Sequence, residues 1–129
     1  MSERKPTVIV LGASQDRRKY GNISVRAHVK QGYDVYPVNG QGGEVEGLTA
    51  YAKIADVPAK EIDRVTVYLP PHVGLSLIEE IAACRPKEVW LNPGADSPKL
   101  VEEAEKRGLN VIQACSIIDI GTTPLAFRE

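Results

Sequence analysis

An unbroken run of β-branched and aliphatic residues near the start of the sequence constrains the fold more than any other feature. Residues 7–11 read Thr-Val-Ile-Val-Leu, and Gly12 follows directly. A run without polar alternation is typical of a strand buried on both faces, as in a parallel sheet that helices cover on each side. The run therefore predicts the first, central strand of an α/β sheet.

Further strands alternate with helical segments along the rest of the chain. Strands are predicted at residues 34–38, 64–69, 88–91 and 109–112. Helices are predicted from a cap at Asn22 to about Gln31, from Val73 to Ala83, and from Ser97 to a stop at Gly108. This alternation predicts one α/β domain over residues 1–129, with a doubly wound, mainly parallel sheet.

Three segments call for a separate interpretation. Residues 39–61 contain four glycines and predict a loop, with one helical turn at residues 51–57. Pro37 predicts that the second strand ends there or lies at an edge of the sheet. Residues 117–121 are apolar, and they are expected to cover either the ligand edge or a contact between subunits.

Length and charge narrow the functional class. The 129 residues carry 16 Lys and Arg against 17 Asp and Glu, which disfavours a nucleic-acid-binding protein with a basic surface. No apolar run approaches the roughly 20 residues of a membrane-spanning helix, and the polar start lacks the apolar stretch of a secretion signal. We therefore expect a cytoplasmic protein that binds neither nucleic acid nor membranes.

The loop after the first strand carries the clearest candidate site. A glycine that leaves a parallel strand lets the backbone approach a phosphate, and the helix that follows offers free N–H groups. Ser14 adds a hydroxyl donor, and nearby guanidinium and ammonium groups suit a phosphate monoester. The predicted phosphate-binding residues are Gly12, Ala13, Ser14, Arg17, Arg18 and Lys19. The alternative interpretation is a solvated basic loop on an ordinary tight turn.

Turn residues also follow the other strands, at the edge where open α/β sheets bind ligands. Candidate binding residues there are Pro37, Val38, Asn39, Tyr68, Leu69, Pro70, Pro71, His72, Asn92 and Gly94. NAD is disfavoured because the first loop lacks the three-glycine fingerprint and no acidic residue ends the second strand. NADP stays an alternative, since the arginines of the loop suit a phosphorylated ribose.

Three elements together carry a family resemblance: Gly12-Ala13-Ser14, the stretch from Gly32-Tyr33 to Pro37-Val38-Asn39, and Leu69-Pro70-Pro71. They resemble the small bacterial and archaeal CoA-binding proteins, which are similar to the N-terminal CoA-binding domain of the succinyl-CoA synthetase α subunit. The resemblance runs from Val8 to about Ser116 and implies a Rossmann-like three-layer fold with CoA across the carboxyl edge of the sheet. It further implies that residues 12–14 meet the phosphates, residues 38–39 border the adenine and ribose, and residues 69–71 line the path of the nucleotide and pantetheine.

The chain departs from this family at three places of the ligand edge. Cys115 matches a cysteine of the family pattern, but Gln113-Ala114 replaces the Asp-Arg that commonly precedes it. Family members commonly have Phe-Arg where this chain has Tyr68-Leu69, and Gln-x-Gly where it has Asn92-Pro93-Gly94. The resemblance implies coenzyme A as the cofactor, and the departures keep NADP as the alternative.

Residues suited to catalysis are sparse. The sequence shows no carboxylate pair, no nucleophile beside a base and no metal-ligand cluster. His28 is predicted to be exposed at mid-helix, and His72 either donates to a phosphate or caps a helix. Cys84 is predicted to pack as a small apolar residue, whereas Cys115 either packs in the core or pairs with the thiol of CoA.

These observations predict a protein that binds CoA or acyl-CoA and has no catalytic or metal-binding residues of its own. The alternatives are an NADP-binding oxidoreductase or redox sensor, an accessory subunit of a CoA ligase that needs a partner chain, and a degenerate domain kept for protein interaction. The expected partner is a small-molecule nucleotide, and association with further copies of the chain or with a ligase chain is left open.

Overall fold

Strands and helices alternate through residues 4–127, the part of the chain that the computed structural model describes. The strands are β1 (Thr7–Leu11), β2 (Asp34–Val38), β3 (Glu44–Val45), β4 (Leu48–Thr49), β5 (Arg64–Val67), β6 (Glu88–Leu91) and β7 (Val111–Gln113). The helices are α1 (Tyr20–Lys30), α2 (Pro71–Ser76), α3 (Ile78–Ala83), α4 (Pro98–Lys106) and α5 (Ser116–Asp119), with 3₁₀ turns at Ile54–Asp56 and Pro124–Phe127.

Five of the strands form one parallel sheet in the order β2-β1-β5-β6-β7. β1 pairs with β2 on one side and with β5 on the other, which places Val8 opposite both Val35 and Arg64. The prediction that β1 is the central strand is wrong by one place, because β6 and β7 both add beyond β5. β2 is an edge strand, which confirms the interpretation of its Pro37.

Helices cover both faces of this sheet. Alternate residues of β1 point to opposite faces: Ile9 packs in a cluster with Ile81 of α3 and Leu100 of α4, whereas Val10 packs with Val25 of α1. All five residues of β1 are buried, as their uninterrupted apolar character requires. The structure therefore has three layers with the sheet in the middle, which confirms the predicted Rossmann-like class.

Helix α1 begins earlier than the sequence predicts. Its N-cap is Lys19, and Asn22 lies inside the first turn instead of capping it. The buried Asn22 side chain donates to the backbone oxygen of Ser14 at 2.9 Å and to Glu46 Oε2 at 3.0 Å. Asn22 therefore ties the helix to two neighbouring segments, a tertiary role that outweighs its local preference for a cap.

The bounds of the other helices and strands differ from the predicted ones by a few residues. The helix predicted at residues 73–83 consists of α2 and α3, which meet at Leu77, where the backbone leaves helical geometry (φ −104°, ψ 5°). β5 ends at Val67, before the predicted end of the strand, because its partner β1 has ended at Leu11. The last strand, predicted at residues 109–112, begins at Val111.

The glycine-rich segment contains a hairpin that the sequence pattern does not predict. β3 and β4 pair antiparallel, with Val45 opposite Leu48. Glu46 (φ 51°) and Gly47 (φ 80°) form the turn, and both lie in the left-handed region. Each strand has only two residues, which is too short for an alternating pattern to be visible. The helical turn predicted at residues 51–57 is present as the 3₁₀ turn Ile54–Asp56.

His28 is buried, so the prediction that it is exposed is wrong. Its side chain is 0% exposed, its Nδ1 lies 2.8 Å from the backbone oxygen of Ser24, and its ring meets Tyr33 edge-on at 4.9 Å. The reason is that α5 packs on this side of α1, with Ile117 fully buried against Ile23. Of the segment 117–121, Ile117 thus lies in the core, whereas Ile118 is 61% exposed.

The burial of His28 makes stability depend on pH. Loss of hydration lowers the pKa of His28 to about 4 from its ordinary value of 6.5, and the charge of Arg64 acts in the same direction. Between these values the unfolded chain binds a proton that the folded chain excludes, so the free energy of unfolding falls as the pH falls. We expect a loss of roughly 2–3 kcal/mol between about pH 6.5 and about pH 4.5, measured by urea denaturation.

The matched control for this pH dependence is His28→Gln, which keeps a polar side chain and removes the titrating ring. Its unfolding free energy is expected to stay nearly constant over the same window, whatever its value at neutral pH. Carboxylates with a lowered pKa, such as Asp63 beside Arg4, lose their stabilising charge only at lower pH. Equal slopes for the two proteins would rule out His28 as the source.

Gly21 marks a close approach between α1 and the loop that leaves β1. A Cβ atom at this position would overlap the carbonyl oxygen of Gly12, which is backbone and cannot move aside cheaply. Gly21→Ala is expected to destabilise the fold by roughly 2–3 kcal/mol in chemical denaturation. The control is Gly74→Ala in α2, where the added atom meets side-chain methyls instead of backbone, at 3.2 Å from Leu100 Cδ2 and 3.9 Å from Val67 Cγ1. A loss at Gly21 no larger than at Gly74 would contradict this packing argument.

Candidate functional site

A cleft opens at the carboxyl edge of the sheet, by the ends of β1 and β5. The chain order reverses here, because β2 lies on one side of β1 and β5 on the other. Open α/β sheets bind ligands at such a switch point. The cleft has a volume of about 730 Å³, which lies within the range of small-molecule sites.

Ten of the residues predicted from the sequence line this cleft. They come from the segments that follow β1, β2, β5 and β6, whose carboxyl ends the parallel sheet brings to one edge. They are Gly12, Ala13, Ser14, Lys19, Asn39, Tyr68, Leu69, Pro70, Pro71 and Gly94. The structure brings these residues together, and their contact with a ligand stays a prediction.

A second cavity of about 490 Å³ adjoins the cleft. The two share Gly12, Asn39 and Leu69, so they are adjacent across the ends of β1, β2 and β5, and together they are called the groove. Val38, another residue predicted from the sequence, lines this second cavity, and Lys53 gives it a cationic group. The candidate site therefore extends beyond the loop after β1 to the segment that follows β2.

Five predicted residues line neither the cleft nor the second cavity. They are Arg17, Arg18, Pro37, His72 and Asn92. Pro37 is buried in β2, where its carbonyl oxygen accepts a hydrogen bond from the backbone of Tyr51 at 2.9 Å. His72 is exposed on the first turn of α2. These positions support or flank the groove instead of forming its surface.

The backbone of the loop between β1 and α1 is fixed by β2. Both Gly12 N and Ala13 N donate to the carbonyl oxygen of Val38, at 2.9 and 3.2 Å. Gly12 adopts a φ of +96°, and a Cβ atom there would lie 3.0 Å from the carbonyl group of Tyr68. Glycine is therefore required, because the loop turns sharply and passes close to the end of β5.

The three cations of this loop have different surroundings. Arg18 pairs with Asp16 through two contacts of 3.0 Å, and these hydrogen bonds lower the pKa of Asp16 to about 2. Arg17 Nε lies 3.4 Å from Glu46 Oε2 on the β3–β4 hairpin. Among the Lys and Arg residues in the described part of the chain, Lys19 alone lines the cleft. The positive charge that faces the cleft is thus smaller than the sequence count indicates.

A buried polar cluster, formed by Thr66, Tyr68, Asn92 and Ser116, supports the edge from below. Asn92 Nδ2 donates to Thr66 Oγ1 at 2.7 Å and to Val67 O at 2.9 Å, and Asn92 Oδ1 accepts from Ser116 N at 2.9 Å. Ser116 Oγ lies 3.0 Å from the Tyr68 hydroxyl. Burial raises the pKa of Tyr68, so its phenol stays protonated at neutral pH. The cluster joins β5, β6 and α5.

Seven further residues, which the sequence pattern did not indicate as site residues, also line the cleft. They are Gln15, Asp16, Tyr20, Gly21, Gln41, Pro93 and Ala95. Gln15 and Asp16 belong to the predicted phosphate loop, so treating the loop as continuous would have found them. Tyr20 is a large side chain that is 55% exposed at the start of α1. Its proximity to the cleft follows from the early start of that helix.

The two cysteines lie outside the cleft. Cys115 is the half-buried N-cap of α5. Cys84 lines a separate cavity of about 570 Å³, and burial raises the pKa of its thiol to about 11. Within residues 4–127, no group of three or more His, Cys, Asp or Glu side chains is placed to hold a metal ion. In the same range no helix combines the length and apolar character needed to cross a membrane.

Similar curated proteins are subunits of CoA ligases. The chain is 32% identical over 117 residues to subunit alpha of the ADP-forming acetate–CoA ligase II of Pyrococcus furiosus, a match covering 81% of this chain and 25% of that subunit. It is 29% identical over 125 residues to subunit alpha of ligase I of the same organism, covering 82% and 26%. The chain spans about a quarter of the length of these curated relatives.

Solved structures share the fold. A conserved hypothetical protein of Pyrococcus furiosus is similar with a TM-score of 0.77 at 32% identity, over 91% of this chain and 99% of that one. A Thermus thermophilus protein is similar with a TM-score of 0.80 at 32% identity, over 89% and 87%. The dinucleotide-forming acetyl-coenzyme A synthetase 1 of Ca. Korarchaeum cryptofilum is similar with a TM-score of 0.70 at 28% identity, over 84% and 26%.

A family model described as a CoA binding domain matches residues 6–121. This range contains all strands of the sheet, the loop between β1 and α1, and the lining of the cleft. The family resemblance carried by the sequence motifs is therefore confirmed. The chain belongs to the family of CoA binding domains.

Proposed function

We propose that this chain binds CoA or acyl-CoA in the groove and catalyses no reaction by itself. The observation that carries the proposal is the loop between β1 and α1. Val38 holds this loop in place at the switch point of the sheet, and the loop presents Ser14 and Lys19 to the cleft. Family membership supports the choice of CoA over other nucleotides.

The loop offers donors that fit a diphosphate. The N–H groups of Gly12 and Ala13 are used by Val38, so these residues shape the loop instead of binding the phosphates. The backbone N–H groups of Ser14 and Gln15 donate to no other group in the described structure, and the Ser14 hydroxyl keeps its proton for donation because its oxygen accepts from Asp16 N. Together with the Lys19 ammonium, these donors are suited to anionic oxygens.

The rest of the groove fits the two ends of an elongated nucleotide thioester. The second cavity is lined by Val38 and Asn39 and by one cation, Lys53, and one carboxylate, Glu80; the Lys53 ammonium suits the ribose phosphate of the adenosine end. Residues 69–71 and Gly94 give the cleft an apolar wall that suits pantetheine. Bound CoA would supply a thiol that carries acyl groups, and this chain would hold and orient it.

The groups around the cleft are poor catalysts. The pKa of Asp16 is lowered to about 2 by its pairing with Arg18, which makes the carboxylate a weak base. The phenol of Tyr68 has a raised pKa and is engaged with Ser116. His72 does not line the cleft. Binding without chemistry therefore agrees with the groups present.

A second candidate function is the CoA-binding part of an ADP-forming CoA ligase that works with a partner chain. The match to two ligase alpha subunits over about a quarter of their length favours it. In that arrangement the groove would present the CoA thiol to reacting groups on the partner. A ligase assay of the chain alone and with a co-purified partner separates the two functions, because only the second predicts activity that depends on the partner.

CoA is expected to raise the thermal unfolding temperature more than dephospho-CoA, ADP, NADP or NAD. A ligand at one hundred times its Kd stabilises the folded state by about 2.7 kcal/mol, which corresponds to several degrees. A larger shift with CoA than with dephospho-CoA indicates that the ribose phosphate is recognised. A shift with NADP and none with CoA, or no shift with any of these ligands, would contradict the proposal.

Lys19→Gln is expected to weaken CoA binding by roughly fivefold, since an exposed charge contact contributes up to about 1 kcal/mol. Isothermal titration calorimetry at low salt measures the change. The matched control is Lys60→Gln, the same substitution at an exposed lysine that lines neither the cleft nor the second cavity. Its effect is expected to stay below twofold. Equal losses in the two variants would show that overall charge, and not contact at the cleft, controls affinity.

A further inference from the structure

We propose that Tyr20 is a specificity-determining residue of the cleft, whose ring packs against the pantetheine arm of CoA and does not contact the adenosine end. The inference rests on the proposed function and deepens it, because it names the part of the ligand that this residue recognises. The juxtaposition that carries it is an exposed aromatic side chain at the cleft, toward the sheet face opposite the second cavity.

The backbone of Tyr20 is fixed, whereas its side chain has no partner. Tyr20 is the first residue of α1, and a Cβ atom on the next residue, Gly21, would overlap the carbonyl oxygen of Gly12. On the other side, the backbone N–H of Lys19 donates to Asp16 O at 3.0 Å. The side chain of Tyr20 is 55% exposed, and in the described part of the chain it makes no hydrogen bond and no contact with another ring or a cation. The ring is therefore free to bind a ligand from a rigid position.

The second cavity lies on one face of the sheet. Its lining residues Leu11, Val38 and Ile54 belong to the core cluster that also contains Ile81 of α3 and Leu100 of α4. The second cavity is thus on the face that α3 and α4 cover. In the proposed function it takes the adenosine end of the ligand.

Tyr20 lies toward the other face. It begins α1, whose Val25 packs with Val10 of β1, and Tyr68 of the cleft packs in the same cluster. The cleft therefore leads from the second cavity, past the β1–α1 loop, to the start of α1. When the adenosine end occupies the second cavity and the diphosphate lies at the loop, the pantetheine arm is the part of CoA that reaches Tyr20.

The chemistry of pantetheine suits an exposed tyrosine ring. Its pantoyl unit carries two methyl groups, and their removal from water on the face of a ring is favourable. A tyrosine supplies a large, rigid contact area with only two rotatable side-chain bonds, so little conformational entropy is lost on binding. ADP contains adenosine and a diphosphate but no pantetheine. Contact at Tyr20 thus strengthens the binding of CoA without strengthening that of ADP.

The test is Tyr20→Ala, a change at an exposed position whose effect on the fold is checked by circular dichroism. The Kd values for CoA and for 4′-phosphopantetheine, measured by NMR titration, are expected to rise roughly five- to tenfold because the apolar contact of one ring is lost. The Kd for ADP is expected to change by less than about twofold. Tyr20→Phe keeps the ring and is expected to keep the wild-type Kd for all three ligands.

A direct readout comes from the pantoyl methyl protons of bound CoA. They are expected to shift upfield in the complex with the wild-type chain, because they lie over the face of an aromatic ring, and to lose this shift in Tyr20→Ala. The control is Val29→Ala on the same helix, at a side chain that is 50% exposed and lines neither the cleft nor the second cavity. It is expected to leave the Kd for CoA and the methyl shifts unchanged.

Three outcomes would overturn the inference. An equal rise in Kd for ADP and CoA in Tyr20→Ala would put the ring at the adenosine end. An unchanged Kd for CoA in a folded Tyr20→Ala variant, or an equal loss in Val29→Ala, would show that the ring does not contact the ligand. If the wild-type chain binds CoA and Tyr20→Ala binds it equally well, only the inference fails, whereas no CoA binding by the wild type removes the proposed function and the inference together.

Discussion

One backbone oxygen sets the geometry of the ligand edge. The carbonyl of Val38, at the end of the edge strand β2, accepts hydrogen bonds from the consecutive N–H groups of Gly12 and Ala13. Because the loop is held there, the chain must turn at Gly12 with a positive φ and enter α1 at a distance from Gly12 that only a glycine at position 21 permits. The cleft, the start of α1 and the adjoining cavity all depend on this turn. Its stability is a property of the sheet order, which puts β2 beside β1.

A buried polar cluster lies beneath the edge of the sheet that carries the cleft. In the buried polar cluster of Thr66, Tyr68, Asn92 and Ser116, each side chain has a hydrogen-bond partner within the cluster. A buried network that is fully satisfied favours one arrangement of its strands and helices, because any displacement leaves a donor or acceptor unpaired. The ends of β5 and β6 are therefore fixed relative to α5. A ligand that spans these ends meets a surface that is already organised, which reduces the entropy lost on binding.

The sequence predicts those features that depend on long apolar runs and on strand ends. β1, β2 and β6 have their predicted bounds, and most of the turn residues predicted from them line the groove, since parallel strands deliver their carboxyl ends to one edge. The exceptions depend on contacts between distant segments. The sequence predicts Asn22 as a helix cap, but its side chain donates to the backbone oxygen of Ser14. The sequence predicts His28 as exposed, but α5 covers it. No local pattern contains this information.

The sequence also does not show which charged side chains are paired in the fold, and this pairing affects how the loop attracts a ligand. The basic run Arg17-Arg18-Lys19 indicates three cations for a phosphate ligand. Arg18 is compensated by Asp16, which is visible in the sequence two residues away, but Arg17 is paired with Glu46 on a hairpin that the sequence does not reveal. Lys19 faces the cleft. A site with this composition attracts the phosphates of one nucleotide through a few directed donors and has little excess field for longer polyanions. The 17 acidic residues that balance the 16 basic ones therefore include two, Asp16 and Glu46, that lie beside cations of this loop.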